Sequence, residues 1–100
     1  MQNHTKVYFE FFGYDITDKY IPCEMCDAPV VDIHHIERRN KTKNDYIENL
    51  VGLCRDCHIK CNDTSFNMYV RIKHLENVCN QIYAIISINK KLDENRKNKN

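Results

Sequence analysis

Two Cys-x-x-Cys pairs, Cys23/Cys26 and Cys54/Cys57, bracket the middle of this chain and constrain its fold more than any other feature. Two residues between cysteines let both thiolates aim at one ion from a tight turn, and two such turns complete a tetrahedral site with Zn–S of about 2.3 Å. Four protein thiolates leave no open coordination position, so the expected Zn2+ is structural. The stretch from Cys23 to Asn62 is shorter than most independent folds and needs such a staple, because so small a unit buries too little apolar surface to offset chain entropy. Redox pairs or surface thiols are the competing reading, and no thioredoxin-like context supports it. Cys61 lies one turn beyond Cys57 and could in principle replace it, but the matched spacing favours Cys57. Cys79 is read as a small core residue, since free cysteine is often buried.

One hundred residues leave room for one domain. Met1 to Glu10 is polar and then aromatic, unlike a secretory leader, and no stretch approaches the ~20 apolar residues of a membrane span. The expectation is a cytoplasmic protein with no membrane partner, in a compartment where closely spaced cysteines bind metal more often than they form disulfides. A formal net charge of +1 argues against a protein that holds nucleic acid by a strong global field. The basic residues are uneven, however. Arg38, Arg39, Lys41 and Lys43 follow a double histidine, and a second cluster ends the chain.

Lys6 to Phe12 is aromatic and β-branched, followed by Gly13 and turn material, which predicts a strand or an irregular packing arm. Val30 to Ile36 reads as a strand from its β-branched content. Glu37 to Tyr46 is polar and reads as a loop, and Ile47 to Leu53 is a short apolar return leading into Cys54 and a helix through Asn62. After Asp63-Thr64-Ser65, a set of N-cap candidates, apolar residues recur at Met68, Ile72, Leu75, Cys79, Ile82 and Ile86. Steps of three and four mark an amphipathic helix, either one long helix or two with a small bend. That stripe either buries against its own domain or forms a dimer seam.

Three histidines then call for explanation: His34 and His35 between the cysteine pairs, and His58 directly after the last cysteine. His58 and Asn62 are four apart, so a helix places both on one face, able to share a cation. Adjacent strand residues point to opposite sides, so His34 and His35 should not both ligate one ion. Histidine suits proton abstraction from water because it titrates near neutrality. Phosphodiester hydrolysis asks for such a base, for a cation, and for positive groups on the backbone.

The segment Asp32-Ile-His-His-Ile36, followed by Asn49-Leu-Val-Gly-Leu-Cys54-Arg-Asp-Cys57-His58 and closed by Asn62, resembles the HNH endonuclease family, and the whole window Cys23 to Asn62 is similar to zinc-knuckle HNH proteins of phages. The resemblance implies an α+β fold, a small ββα-metal, treble-clef-like domain with a structural zinc and a C-terminal helix. It implies His35 as general base, His34 and His58 as ligands of a catalytic divalent cation (Mg2+, Mn2+, Ni2+ or Zn2+), and Asn49 as the motif's structural asparagine, expected to bond the loop backbone. Asn62 takes the position of the third ligand, where Asp63 or a water could serve instead. Asp32 could orient His34 as a carboxylate behind the ligand. Arg38, Arg39 and Lys41 are then candidates for phosphate contacts.

The expected organisation is one nuclease domain over 1–92, with its core at 23–62, a hairpin from about Val30 to Leu53, a helix from about Arg55 to Asn62 and a C-terminal helix at about 65–92, followed by a disordered basic tail at 93–100. The expected function is metal-dependent nicking or double-strand cleavage of DNA, by a monomer or homodimer, in the host cytoplasm if phage-encoded. Phage HNH proteins often act beside the DNA-packaging terminase, so a terminase or other protein partner is compatible. The rival is a non-catalytic zinc-finger module binding nucleic acid or protein, which needs the four cysteines but has no use for His34, His35, His58 and Asn62 together.

Overall fold

A computed structural model describes residues 1–38 and 44–97. Its elements are α1 (Asn3–Phe12), β1 (Asp32–His35), a single 3-10 turn (Ile47–Asn49), β2 (Leu50–Leu53), α2 (Arg55–Lys60) and α3 (Thr64–Lys97). The strands form one antiparallel pair, with His34 opposite Val51 and His35 opposite Leu50. This is a small mixed domain with a ββα core. No helix among the described residues is long and apolar enough to cross a membrane.

All four residues of β2 are buried, whereas β1 keeps its side chains exposed or half-exposed. The inner strand is therefore the floor of the domain and the outer strand presents functional groups. Val51 and Leu53 join Cys23, Ile36, Cys54, Cys57 and Val70 in the core.

The segment from Lys6 to Phe12 is helical, not the expected strand or arm. Its aromatic and β-branched content misleads because tertiary packing decides: Tyr8 is buried on the face of α1 that meets the sheet, and its hydroxyl donates to Glu24 Oε2 at 2.8 Å. Gly13 carries the stop signal, taking a left-handed φ of 77° while its N–H returns to Phe9 O. Gly52 accommodates the contact from the other side, since a Cβ there would stand 2.8 Å from the Tyr8 hydroxyl oxygen.

The first cysteine pair sits in a tight reverse turn closed by a bridge between Pro22 and Pro29, with Cys23 N–H donating to Ala28 O at 2.7 Å. Helix α2 is shorter than expected and ends at Lys60, so Asn62 lies in the following turn, exposed, with its N–H on Ile59 O.

Helix α3 begins where Asp63 Oδ1 accepts from the Ser65 and Phe66 N–H groups, an N-cap. It is one continuous helix of 34 residues, about 51 Å at 1.5 Å per residue, and it runs five residues past the predicted end at Leu92. Its body-facing line is Val70, His74 and Val78, flanked by Asn67, Asn77 and Gln81. The apolar stripe at Met68, Ile72, Leu75, Ile82 and Ile86 is exposed, and Cys79 with it, which corrects the reading of Cys79 as a core residue. A buried histidine held by a carboxylate took the place that the pattern assigned to the aliphatic residues. Gln81 Nε2 donates to Phe11 O at 3.0 Å, and from Ile82 to Arg96 every residue of α3 is exposed.

Candidate functional site

The four sulfurs of Cys23, Cys26, Cys54 and Cys57 lie within 4.8 Å of one another, with 3.6 Å between Cys26 and Cys54 and 3.8 Å between Cys26 and Cys57. A tetrahedron built on Zn–S bonds of about 2.3 Å has edges of about 3.8 Å, so these donors fit zinc. Backbone N–H groups support the sulfurs: Met25 donates to Cys23 Sγ at 3.5 Å and Cys57 to Cys54 Sγ at 3.4 Å. The Cys57 N–H at the head of α2 holds the Cys54 thiol down to about 7, while burial pushes the Cys57 thiol up. Cys61 is half-buried beside the cluster and outside the four.

From this hub β1 and α2 project the histidines. His34 and His35 leave β1 on opposite sides. His34 meets His58 of α2, ring centroids 4.9 Å apart, and its Nε2 lies 3.0 Å from Asn67 Oδ1 of α3. Burial pushes the His34 imidazole below its ordinary value. Asp32, on the same strand face, approaches His58 Nδ1 at 3.2 Å rather than orienting His34. Asp32, His34, His58 and Asn67 thus line one side of β1. Asn67 also donates to Ile36 O at 3.0 Å, which fixes its amide.

On the other side His35 Nε2–H donates to Asp45 Oδ1 at 2.7 Å, and the His4 ring of α1 packs against it at 5.0 Å. Asp45 Oδ2 accepts from Asn3 Nδ2 at 3.1 Å, so the start of α1 helps to hold the pair. One donor atom each from His4, His35 and Asp45 fall within 4.8 Å of one another, a second set that could hold a metal ion.

Asn49, buried at 1 % exposure, spans the polar loop between the strands. Its Oδ1 accepts from Glu37 N–H at 2.7 Å, and its Nδ2 donates to Glu37 O at 3.1 Å and Asn44 O at 3.2 Å. Arg38 is exposed in that loop; Arg39 and Lys41 lie outside the described residues.

A buried polar knot sits behind the site. Glu24, inside the first knuckle, accepts from Tyr8 OH and from Gly52 N–H, from Asn77 Nδ2 at 2.9 Å and from His74 Nδ1 at 2.8 Å. His74 is fully buried, and its Nε2 donates to Ile47 O at 2.6 Å. The ring thus bridges a carboxylate at Nδ1 and a backbone carbonyl at Nε2.

Asn67, Asp45, His4 and the Glu24–His74 pair all escaped sequence reasoning. Their partners lie 10 to 50 residues away in the chain, and polar residues in a loop or on a helix carry no periodic signal of their own.

A ββα domain with a thiolate knuckle and two histidine clusters flanking its outer strand defines a small metal-binding class. Residues 23–64 match the family model described as HNH endonuclease. No curated protein and no solved structure matches the chain. An HNH segment points to nuclease activity and a nucleic-acid substrate.

Proposed function

We propose that the protein is a metal-dependent DNA endonuclease acting from the two faces of β1. The observation that carries this reading is the division of labour between adjacent histidines: His34 shares its side with His58, Asp32 and Asn67, while His35 is paired with a carboxylate on the other. Surface histidines with no task need neither arrangement.

His34 and His58 would hold the divalent cation, Mg2+, Mn2+, Ni2+ or Zn2+, and Asp32, Asn67 or Asn62 would supply oxygen to the donor set. When bound, such a cation stabilises charge on the phosphate and the leaving oxygen. His35 takes the proton from the attacking water. Because Nε2–H is committed to Asp45, the basic lone pair is on Nδ1, and the carboxylate stabilises the imidazolium that forms. Asn49 ties both ends of the loop to the end of β2, which keeps the strand carrying His35 in register. Arg38, together with Arg39 and Lys41 of the same basic sequence stretch, supplies phosphate contacts. Residues 1–97 act as one nuclease unit, α1 contributing His4 and Asn3 to the His35 side.

The test is incubation of supercoiled plasmid with the zinc-loaded protein and each cation in turn. Nicking that needs added cation and is lost in His35→Ala supports the reading. A protein that binds one zinc, no second exchangeable cation, and leaves plasmid intact is the zinc-finger module instead.

A further inference from the structure

Helix α3 carries a second pattern that the domain core does not use. Met68, Ile72, Leu75, Cys79, Ile82 and Ile86 are spaced 4, 3, 4, 3, 4, a 3.5-residue repeat, which is the spacing of a coiled-coil seam rather than of a helix packed on a globular core. At 100° per residue the stripe is centred about 120° around the helix from the line of Val70, His74 and Val78. The domain body therefore does not cover it. Ile72 is 57 % exposed and Ile86 58 %. Beyond Gln81 the helix leaves the body altogether, and the molecule's long dimension reaches 57 Å against 30 and 27 Å across.

We infer that α3 pairs in parallel with α3 of a second copy of this chain along the Met68 to Ile86 seam. Ile72, Cys79 and Ile86 occupy the a positions and Met68, Leu75 and Ile82 the d positions; Ile72 at a beside Leu75 at d follows the two-stranded preference, from which Ile82 at d departs. Charge favours the parallel direction. Arg71 and Glu76, five residues apart, flank the seam at the g and e positions that meet between parallel copies, and Arg71 also pairs with Glu37 of its own chain at 2.8 Å. Closing the seam and the flanking Tyr69 and Tyr83 removes on the order of 1,200 Å2 in total, the lower limit for specific interfaces. The dimer is accordingly concentration-dependent.

Resting on the nuclease reading above, the parallel pair sets two active sites at the same end of one stalk, positioned to cut both strands of a duplex in one encounter. The dimer itself is tested without activity. Sedimentation of the full zinc-loaded chain from 1 to 100 μM is expected to pass from monomer to dimer, with Ile72→Lys/Ile82→Lys remaining monomeric at the same zinc content and, at 1 μM where both are monomers, the same melting temperature. Mild oxidation is expected to give a Cys79–Cys79 disulfide, identified by peptide mass, because the two thiols face each other in a parallel pair. A monomer at 100 μM, or a dimer indifferent to the double substitution, overturns the seam; a dimer without that cross-link overturns the parallel register. On plasmid, the wild type is expected to yield linear product early and the double variant nicked product only. Early linear product from the monomeric variant overturns the two-strand role, whereas absence of all cleavage from a wild-type dimer sinks the nuclease reading alone.

Discussion

His74→Ala is expected to loosen the whole molecule although the residue touches no part of the site. The imidazole is fully buried, and its carboxylate partner is 7 % exposed, so removing it leaves a desolvated anion short of its counter-charge. Breaking one side of a buried ion pair costs about 3–5 kcal/mol. Glu24 retains Tyr8, Gly52 and Asn77, which pulls the figure to the lower end, while Ile47 O loses its donor and adds roughly 1 kcal/mol. A total of about 3–4 kcal/mol corresponds to a fall of roughly 15–25 °C in Tm for a domain of this size. Urea and thermal unfolding of the zinc-saturated protein measure it directly. Glu24→Gln and the double variant complete a thermodynamic cycle, in which the double variant should be less destabilised than the sum of the two by about 1–3 kcal/mol. A loss below about 1 kcal/mol in His74→Ala, or strict additivity in the cycle, would refute the ionic pair.

Cys23→Ser or Cys57→Ser should lose zinc and cooperative unfolding, since structural zinc contributes on the order of 10 kcal/mol in small zinc peptides, whereas Cys79→Ser should leave the melt unchanged; calorimetry with metal analysis reads both. His35→Ala should retain the exchangeable cation while cleavage falls ~10²–10⁴-fold, and His34→Ala and His58→Ala should lose cation affinity and cleavage together, as isothermal titration beside a nicking assay will show. Asp45→Asn should fall about 10–100-fold in rate with cation affinity intact, and an unchanged rate would remove Asp45 from the mechanism. The His34 imidazole sits below its ordinary value of 6.5 when folded, so beneath that pH the unfolded chain takes a proton that the folded ring refuses, and stability declines as pH falls. The slope of unfolding free energy between pH 7.5 and 5.5 should be shallower in His34→Gln, and equal slopes would contradict the burial argument.

The parts legible in the sequence were those written in local spacing. The spacing of the cysteine pairs specifies a four-sulfur cluster, and the period of two in a strand separates His34 from His35. What sequence could not supply was the company each group keeps. Asp32 shares a strand face with His34 yet bonds His58, because α2 docks its first turn over the strand end. Asn67 reaches His34 only because Asp63 caps α3 at a point that aims its first turn back at β1. Helix α1 was hidden by residues that favour strands in isolation, and Gly13 was its one local marker. The packed face of α3 was missed for the opposite reason: its anchors, Asn67, His74, Asn77 and Gln81, are polar, and a search for apolar periodicity selects the outer face instead.

The clamp made by Asn49 bears on how such a protein can change its target. One amide grips the chain at Glu37 and again at Asn44, so the positions of His35 and β2 are settled before the residues between those two points are considered. Lengthening a loop whose ends are already fixed is cheap, about 0.6 kcal/mol for each doubling. Insertions between Glu37 and Asn44 would therefore leave His35 and β2 in place. In the proposed nuclease, contacts to the duplex are then free to change within a cassette whose two borders a single buried asparagine defends.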